Sequence, residues 1–437
     1  MRDLKEDAKS IFLETLKSIQ LDSIIRNRLY LSGDQLVVDG YCLDLAVFRE
    51  VVLIGLGKAS ASLGPALEGL LGDRLSRGLL VTNGKPVVSL KSEVVVAGHP
   101  LPNAASLEAG KRLIQIIESC DHDSLVLLAI SGGGSALAES PLSSDITLED
   151  LRELNRVLIS SGATIREINI VRKHLSRLKG GRLGYLARDI RSLALFVSDV
   201  NPGDLRSIAS NPLLPDEATL EEFHEVLDRY GLIDRIPGSI ANLIRSGAIQ
   251  PLPTWDVADG RRVDVLLLEN ADAVAAAALA AEARGFRVEV DNSHSEEDYR
   301  VGADGLIERL VSAGREGDSR KVCLISGGEF SCPVSGGGFG GRNQEFVLYC
   351  AARLAARGLS GRAAVLSCGT DGIDGNSSAA GAVSDGYVFD AADQAGLDAS
   401  SFITENNSTS FFCEAGGLII TGPTCNNVRD LRLLLMN

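Results

Sequence analysis

The sequence lacks the features of several protein classes. No apolar stretch reaches the roughly 18 residues that a membrane-spanning helix needs. The first twenty residues carry charge at helical spacing, without the apolar core of a signal peptide. The eight cysteines form no C-x-x-C pair, and the five histidines show no zinc-ligand spacing. We therefore expect a cytoplasmic protein with reduced cysteines, no structural zinc and no membrane partner.

Positive charge is also scarce. The chain of 437 residues has 43 Lys and Arg against 58 Asp and Glu, which gives a formal net charge of −15. Because nucleic-acid binding depends on basic surface that neutralises phosphates, no nucleic-acid partner is expected. Glycine, by contrast, is abundant, with 46 residues. The positions of these glycines are the main clue to function.

Short apolar runs recur along the chain and alternate with stretches of helical spacing. Examples are the runs at 51–54, 125–130 and 193–197, each followed by a glycine or polar turn. Continuous apolar runs of this length are typical of parallel strands that are buried on both faces. A second series of such runs lies between 263 and 420. The pattern predicts an α/β fold.

The two series of strands predict two α/β domains. A proline-containing region near 235–260 separates them, and we place the domains at 1–245 and 246–437, with a cleft between them. The N-terminal helix, placed within 1–45, is free to pack on the C-terminal domain.

Two glycine turns are locally alike. Residues 129–136 (AISGGGSA) and 324–331 (LISGGEFS) each carry Ser-Gly-Gly directly after an apolar run. In open α/β sheets ligands bind beyond the carboxyl ends of strands, where glycine lets backbone N–H groups approach an anion. We expect the first turn to cradle phosphates at the start of a helix, and a tight turn without a ligand is the alternative. Its residues are Ser131, Gly132, Gly133, Gly134 and Ser135.

Familiar nucleotide-binding motifs are absent. The chain has no G-x-x-x-x-G-K-[ST] segment, and residues 55–60 (GLGKAS) fit the dinucleotide fingerprint badly. The third small position is Ser60, and no acidic residue ends the next apolar run. Lys58 fits better as a point charge for phosphate, with a solvated lysine as the alternative.

Charged residues mark further candidates. From Arg172 to Arg182 there are five Lys or Arg and no acid, a patch that can focus a small anion unless it is a solvated helix face. Asp199 directly follows an apolar run, where a carboxylate can hold Mg²⁺ or accept a hydroxyl proton. Asp371 and Asp374 occupy a similar loop, for which a simple Asp-Gly turn is the alternative.

The densest glycine cluster, at 336–341, leads into a helical pattern that begins near Arg342. An arginine at the start of a helix can bind a carboxylate or a phosphate bidentately. We therefore add Arg342 to the candidates.

Taken together, nine segments across nearly the whole chain resemble the MOFRL-type (class II) glycerate kinases. They are GKAS at 57–60, HPLPNAAS at 99–106, SGGGSAL at 131–137, the segment 166–182, SDV at 198–200, SGGE at 326–329, GGRNQE at 340–345, GTDGIDG at 369–375 and TGPT at 421–424. The chain departs from the usual family pattern at 210–213, 405–408 and 425–428.

The resemblance implies a Rossmann-like N-terminal domain with a largely parallel sheet and a smaller MOFRL-type α/β domain. It implies phosphorylation of D-glycerate with ATP and Mg²⁺, giving 2-phosphoglycerate, and it leaves a homodimer open. Glycerate 3-kinase, hydroxypyruvate reductase and a non-catalytic protein that binds small carboxylates are the alternatives.

The resemblance also assigns residues. Lys58, Asp199 and Arg342 match the positions thought to be catalytic in the family. We expect further nucleotide contacts from Gly327, Gly328, Glu329, Asn343 and Asp371, and metal contacts from Asp199, Asp371 and Asp374.

Overall fold

A computed structural model describes residues 3–256, 260–293, 296–315, 320–394 and 396–437. In chain order, its α-helices are α1 (Leu4–Ser18), α2 (Leu21–Arg28), α3 (Ser60–Leu71), α4 (Ala104–Glu118), α5 (Gly134–Leu137), α6 (Leu148–Ser160), α7 (Ile165–His174), α8 (Arg182–Leu186), α9 (Leu220–Arg229), α10 (Gly238–Arg245), α11 (Asn270–Glu282), α12 (Tyr299–Ala313), α13 (Arg342–Ala356), α14 (Val388–Gln394), α15 (Ala399–Thr404) and α16 (Ser408–Ala415). Its strands are β1 (Leu29–Ser32), β2 (Gln35–Val38), β3 (Tyr41–Asp44), β4 (Glu50–Leu56), β5 (Arg77–Thr82), β6 (Glu93–Val96), β7 (Ser124–Ser131), β8 (Arg191–Val197), β9 (Arg262–Leu268), β10 (Arg287–Val290), β11 (Val322–Gly328), β12 (Ala363–Gly369), β13 (Gly381–Ser384), β14 (Leu418–Ile419) and β15 (Asp430–Met436).

The chain divides into two compact units. We call Ile24–Leu267 the central unit, and Met1–Ser23 together with Leu268–Asn437 the terminal unit. The sequence placed the division at 245/246, whereas β9 still belongs to the sheet of the central unit. Helix α1 belongs to the terminal unit, where Leu4, Ile11 and Phe12 lie in its core.

The main sheet of the central unit has the strand order β6-β5-β4-β7-β8-β9. Its pairs from β6 through β8 are parallel, and β7 is buried along its whole length. From β4 the chain builds outward to β6 and then returns to place β7 on the other side of β4. Ligands in such sheets bind at this reversal, beyond the carboxyl ends of the two central strands.

Helices of the central unit begin at side-chain caps that their sequences provide. Thr147, Thr164 and Thr219 each accept a hydrogen bond from the residue three positions later, whose acidic side chain bonds back to the backbone of the threonine. Such capping boxes satisfy backbone donors that a helix start would otherwise leave open. The helices they begin pack with α10 in a separate apolar cluster.

The terminal unit contains a mixed sheet with the strand order β10-β11-β15-β12-β13-β14. Strands β10 and β11 are parallel, whereas β15 runs antiparallel to both β11 and β12. The register places Asp430, at the start of β15, between Gly328 and Gly369. The amino end of β15 and the carboxyl ends of β11 and β12 therefore share one edge of the sheet.

The segment placed as an N-terminal helix within 1–45 is helical only over α1 and α2. Strands β1, β2 and β3 follow and form a small antiparallel sheet. Buried and half-buried residues alternate along β2, as in a strand with one face turned to a core. Within the described part of the chain, no helix has both the length and the apolar character needed to cross a membrane.

Candidate active-site residues

In the central unit, Lys58 lies against the first glycine turn. The Lys58 backbone N–H donates to the Gly132 carbonyl at 2.9 Å, and the Ala59 N–H donates to Ser131 Oγ at 3.1 Å. A Cβ atom at Gly133 would come within 3.0 Å of Lys58 Cγ. Strands β4 and β7 thus bring a lysine and the Ser-Gly-Gly turn together at the reversal of the sheet.

Asp199 approaches the same turn from β8. A Cβ atom at Gly132 would overlap Oδ2 of Asp199, so only glycine permits this approach of carboxylate and backbone. Gly133 also requires glycine because its φ is 83°. The structure therefore brings Lys58, Asp199 and the glycine turn together.

His99, in the loop after β6, joins this group although it was not among the predicted site residues. A Cβ atom at Gly133 would lie 3.2 Å from its ring. Partial desolvation, reinforced by the positive charge of Lys58, lowers the pKa of His99 to about 4. The imidazole is therefore neutral at pH 7.

The helix expected after the glycine turn is the four-residue α5, followed by extended backbone at Ala138. A single turn has little macrodipole, so close backbone approach is the feature of this turn that suits a phosphate. Ser135 Oγ lies 2.8 Å from Ser210 Oγ, which also contacts Asn169 Oδ1 at 3.2 Å. These contacts fix the far end of the turn.

The basic segment 172–182 is not a free anion-binding patch. Lys173 pairs with Asp216 at 2.7 Å, and Lys179 pairs with Glu139, all four side chains being nearly buried. Arg172 donates to Asn155 at 2.9 Å. These three positive charges are used inside the unit, where buried ions need partners.

In the terminal unit, Arg342 is held by two carboxylates. Its Nε and Nη2 donate to the oxygens of Asp430 at 2.6 and 2.9 Å, and Nη1 lies 3.1 Å from Glu329. Burial alone would lower the pKa of Arg342, but the charge and the hydrogen bonds of Asp430, together with the charges of Glu329 and Asp374, outweigh burial and raise the pKa above its usual value. Asp430, which is 1% exposed, was missed because its partner lies 88 residues away in sequence.

The second Ser-Gly-Gly segment, for which nucleotide contacts are predicted, forms the last three residues of β11. The Gly328 N–H donates to Asn270 Oδ1 at 3.0 Å, and the Gly327 carbonyl accepts from the buried Arg432. A Cβ atom at Gly327 would overlap the Asn270 side chain. The polar backbone atoms of this turn are therefore satisfied within the unit.

Asp374 and Asn343 are also used internally. The Asp374 carboxylate accepts from the backbone and side chain of both Asn343 and Gln344, at 2.9–3.2 Å. It thereby caps the start of α13. Asn343 bonds as well to Ser367 and is 1% exposed. Since Asp374 is fully buried among four donors, we assign it to the helix start and remove it from the metal candidates, and we remove Asn343 from the nucleotide contacts.

Two family models match the chain. The model described as Domain of unknown function (DUF4147) matches residues 7–245, and the model described as MOFRL family matches residues 322–430. A D-glycerate 2-kinase from Thermotoga maritima is 34% identical, over 87% of this chain and 89% of its own. A putative hydroxypyruvate reductase from Agrobacterium vitis is 36% identical, over 88% of this chain and 99% of its own.

The chain belongs to the MOFRL-type glycerate kinase family. A crystal structure of glycerate kinase from Thermotoga maritima has a TM-score of 0.83 and 30% identity, covering 99% of each chain. The predicted family and α/β fold class are thus confirmed.

The three segments that depart from the pattern of this glycerate kinase family contain left-handed backbone. Asn211, Asn406 and Cys425 have φ values of 54°, 50° and 59°. Asparagine tolerates this region better than other residues with a Cβ atom. Asn406 also accepts hydrogen bonds from the Ser335 and Gly336 N–H groups, at 2.8 and 3.0 Å. The second departure therefore holds the glycine loop that precedes α13.

The metal candidates that remain are Asp199 in the central unit and the half-buried Asp371 in the terminal unit. Asp371 Oδ1 accepts from the Ile373 N–H at 3.1 Å, which is the geometry of a local turn. Asp199 is the better candidate for a Mg²⁺ ligand, because its carboxylate lies against the backbone of the glycine turn and Mg²⁺ prefers oxygen ligands.

Proposed function

We propose that this chain transfers the γ-phosphoryl group of ATP to the 2-hydroxyl of D-glycerate, giving 2-phosphoglycerate and ADP. The observation that carries the proposal is the meeting of Lys58, the Ser131–Ser135 turn and Asp199 at the sheet reversal of a chain of this family. In the reaction the glycerate oxygen forms a bond to the γ-phosphorus, the bond to the β–γ bridging oxygen breaks, and the hydroxyl proton is released.

The residues of the central unit suit the phosphates. Phosphoryl transfer depends mainly on positioning and charge stabilisation, and Lys58 supplies a positive charge beside an unobstructed backbone turn. Neutral His99 adds a hydrogen-bonding ring without further charge. Asp199 would hold Mg²⁺, which neutralises phosphate charge when bound.

Arg342 would contact the carboxylate of the acid substrate. Its guanidinium is oriented by Asp430 and Glu329, and a guanidinium fixed in this way loses little side-chain entropy when it binds an anion. Asp430 neutralises part of the positive charge of Arg342 and so weakens its attraction for a second anion. The main contribution of Arg342 is therefore to orient the substrate carboxylate.

The proposal is tested by ADP release with D-glycerate and ATP, with and without Mg²⁺, followed by phosphorus NMR of the product. An ester on the 2-oxygen is expected. An ester on the 3-oxygen would reassign the chain as a 3-kinase. If D-glycerate binds but no ADP is released, the chain is instead a non-catalytic protein that binds small carboxylates.

One relative is called a putative hydroxypyruvate reductase, and hydroxypyruvate reduction is therefore the second candidate. The side chain that ends β5 is Thr82, whose hydroxyl donates to the Lys58 carbonyl at 3.4 Å, whereas a dinucleotide site needs an acid there for the ribose. Loss of NADH absorbance with hydroxypyruvate at a rate comparable to ADP release would favour the reductase.

A further inference from the structure

A cavity of about 340 Å³ lies within the terminal unit, beside the first turn of α13. Arg342 and Glu345 both line it, together with Phe330, Cys332 and part of the glycine loop 336–341. Residues three apart on a helix lie on the same face, so these two side chains reach the same space. The volume is within the range of small-molecule sites.

Glu345 is the unusual group in this cavity. The residue is 2% exposed, and within the described residues neither carboxylate oxygen has a partner at hydrogen-bond geometry. The hydroxyl and the backbone N–H of Ser408 both face the Glu345 carboxylate without reaching hydrogen-bond geometry, and the Ser408 hydroxyl is itself unsatisfied. Burying a carboxyl group without a partner costs stability, whereas a ligand hydroxyl in the cavity would satisfy it.

We propose that this cavity is the subsite for the acid substrate, an α-hydroxy acid anion, with Arg342 contacting its carboxylate and Glu345 contacting a hydroxyl group. The inference rests on the proposed function and deepens it, because Glu345 then distinguishes hydroxylated acids from acids that lack the second hydroxyl.

The groups around Glu345 determine the pKa of its carboxyl group. Burial raises the pKa of Glu345 to about 7, Ser408 opposes this shift, Asp374 adds to it and Arg300 opposes it. Tyr299, on α12, also faces Glu345, and burial raises the pKa of its phenol, so it stays neutral near pH 7.

Cys332, which also lines the cavity, is neutral near pH 7 as well, because burial raises the pKa of its thiol to about 12.

An entering acid anion would repel an ionised Glu345 and favour its protonated form, which donates a hydrogen bond to the ligand. Binding should therefore take up a proton, and affinity should fall as the pH rises through about 7.

Calorimetry of D-glycerate binding, in buffers of different ionisation enthalpy, tests this directly on the wild-type chain. We expect proton uptake near pH 7.5. In the ADP-release assay, we expect the KM for D-glycerate to rise about tenfold between about pH 7 and pH 8.5, because each pH unit above the pKa of a required proton weakens binding by up to a factor of ten. Absence of both effects would overturn the inference.

Two substitutions sharpen the test. Glu345→Gln keeps a neutral hydrogen-bond donor, so KM should stay low and independent of pH. Glu345→Leu removes the donor, so KM should be about tenfold above that of the wild type at pH 7 and independent of pH. The loss should be larger for D-glycerate than for lactate, which lacks the second hydroxyl. The exposed Glu414→Gln should behave as the wild type.

Wild-type pH dependence in Glu345→Gln would refute the role of Glu345 and leave the kinase proposal intact. Proton-linked binding of D-glycerate without ADP release would refute the kinase proposal alone, and a wild-type chain that binds no D-glycerate would refute both.

Discussion

The two Ser-Gly-Gly turns, at 131–133 and 326–328, have similar local sequences and different surroundings. The first begins at the last residue of β7, whereas the second forms the last three residues of β11, and each lies at a carboxyl edge of its sheet. Lys58 and Asp199 reach the first turn from neighbouring strands, whereas Asn270 and Arg432 occupy the polar atoms of the second. A glycine turn after a strand therefore shows where a ligand can bind. Residues from the adjacent elements decide whether the turn is open to it.

The largest effect is expected at Asp430, which lies opposite the second turn and holds Arg342. Asp430→Asn removes a carboxylate that is 1% exposed and leaves Arg342 with Glu329 as its acidic neighbour. Breaking a buried ion pair of this kind costs about 3 kcal/mol. Denaturant unfolding, followed by circular dichroism, measures the loss.

The matched control is Asp304→Asn, which breaks the more exposed pair with Arg353. We expect a loss below about 1 kcal/mol. Equal losses for the two variants would contradict a specific structural role for Asp430 at the second turn.

The next effect concerns the first turn and appears in turnover. Gly132→Ala places a Cβ atom on Oδ2 of Asp199 and should displace the carboxylate from the turn. Loss of one positioned group at a phosphoryl-transfer site costs about 10²–10³-fold in kcat. A coupled assay of ADP release measures it.

Gly69→Ala is the control for the glycine substitution, because nothing lies within 4 Å of a Cβ atom at that helical position. Its kcat should equal that of the wild type. A Gly132→Ala enzyme with normal kcat would show that the approach of Asp199 to the first turn has no role in turnover.

The sequence predicted the first turn better than the second for a physical reason. The apolar runs of β4, β7 and β8 are continuous, and the candidate side chains Lys58 and Asp199 follow β4 and β8 within two residues, so strand order alone brings them together. Asp430 and Asn270 act through the register of β15 with β11, which aligns residues about a hundred positions apart. Local pattern contains no information on such a register.

Partners that are distant in sequence also explain why the basic segment 172–182 was predicted as a possible anion site. Its charge suggested an anion site, but the partners Asp216 and Glu139 lie about 40 residues away in sequence. Burial of a lysine beside a distant acid cannot be read from a charge run. The glycine loop 336–341 is similar, because Asn376, Asn406 and Asn407 fix it from two later segments.

A smaller effect is expected at Asn270, which satisfies the second turn. Asn270→Ala removes the acceptor of the Gly328 N–H and the donor to the Val428 and Asp430 carbonyls. The expected loss is about 1–3 kcal/mol in the free energy of unfolding, with kcat near that of the wild type below the unfolding range. The exposed Asn292→Ala should lose nothing. A large loss of kcat in a fully folded Asn270→Ala enzyme would mean that the second turn contacts substrate after all.

The smallest effect is the titration of His99 beside the first turn. Desolvation and the charge of Lys58 hold its pKa at about 4, so its ring should give no titration step near neutral pH. Lys58→Met removes the charge but not the desolvation, and the pKa of His99 should rise while staying below the ordinary value of about 6.5. Carbon-13 NMR of the histidine rings, with His99→Gln to assign the signal among the five histidines, measures both values. An unchanged pKa of His99 in Lys58→Met would show that the lysine charge does not act on this ring. The first turn would then lack the charged surroundings that distinguish it from the second.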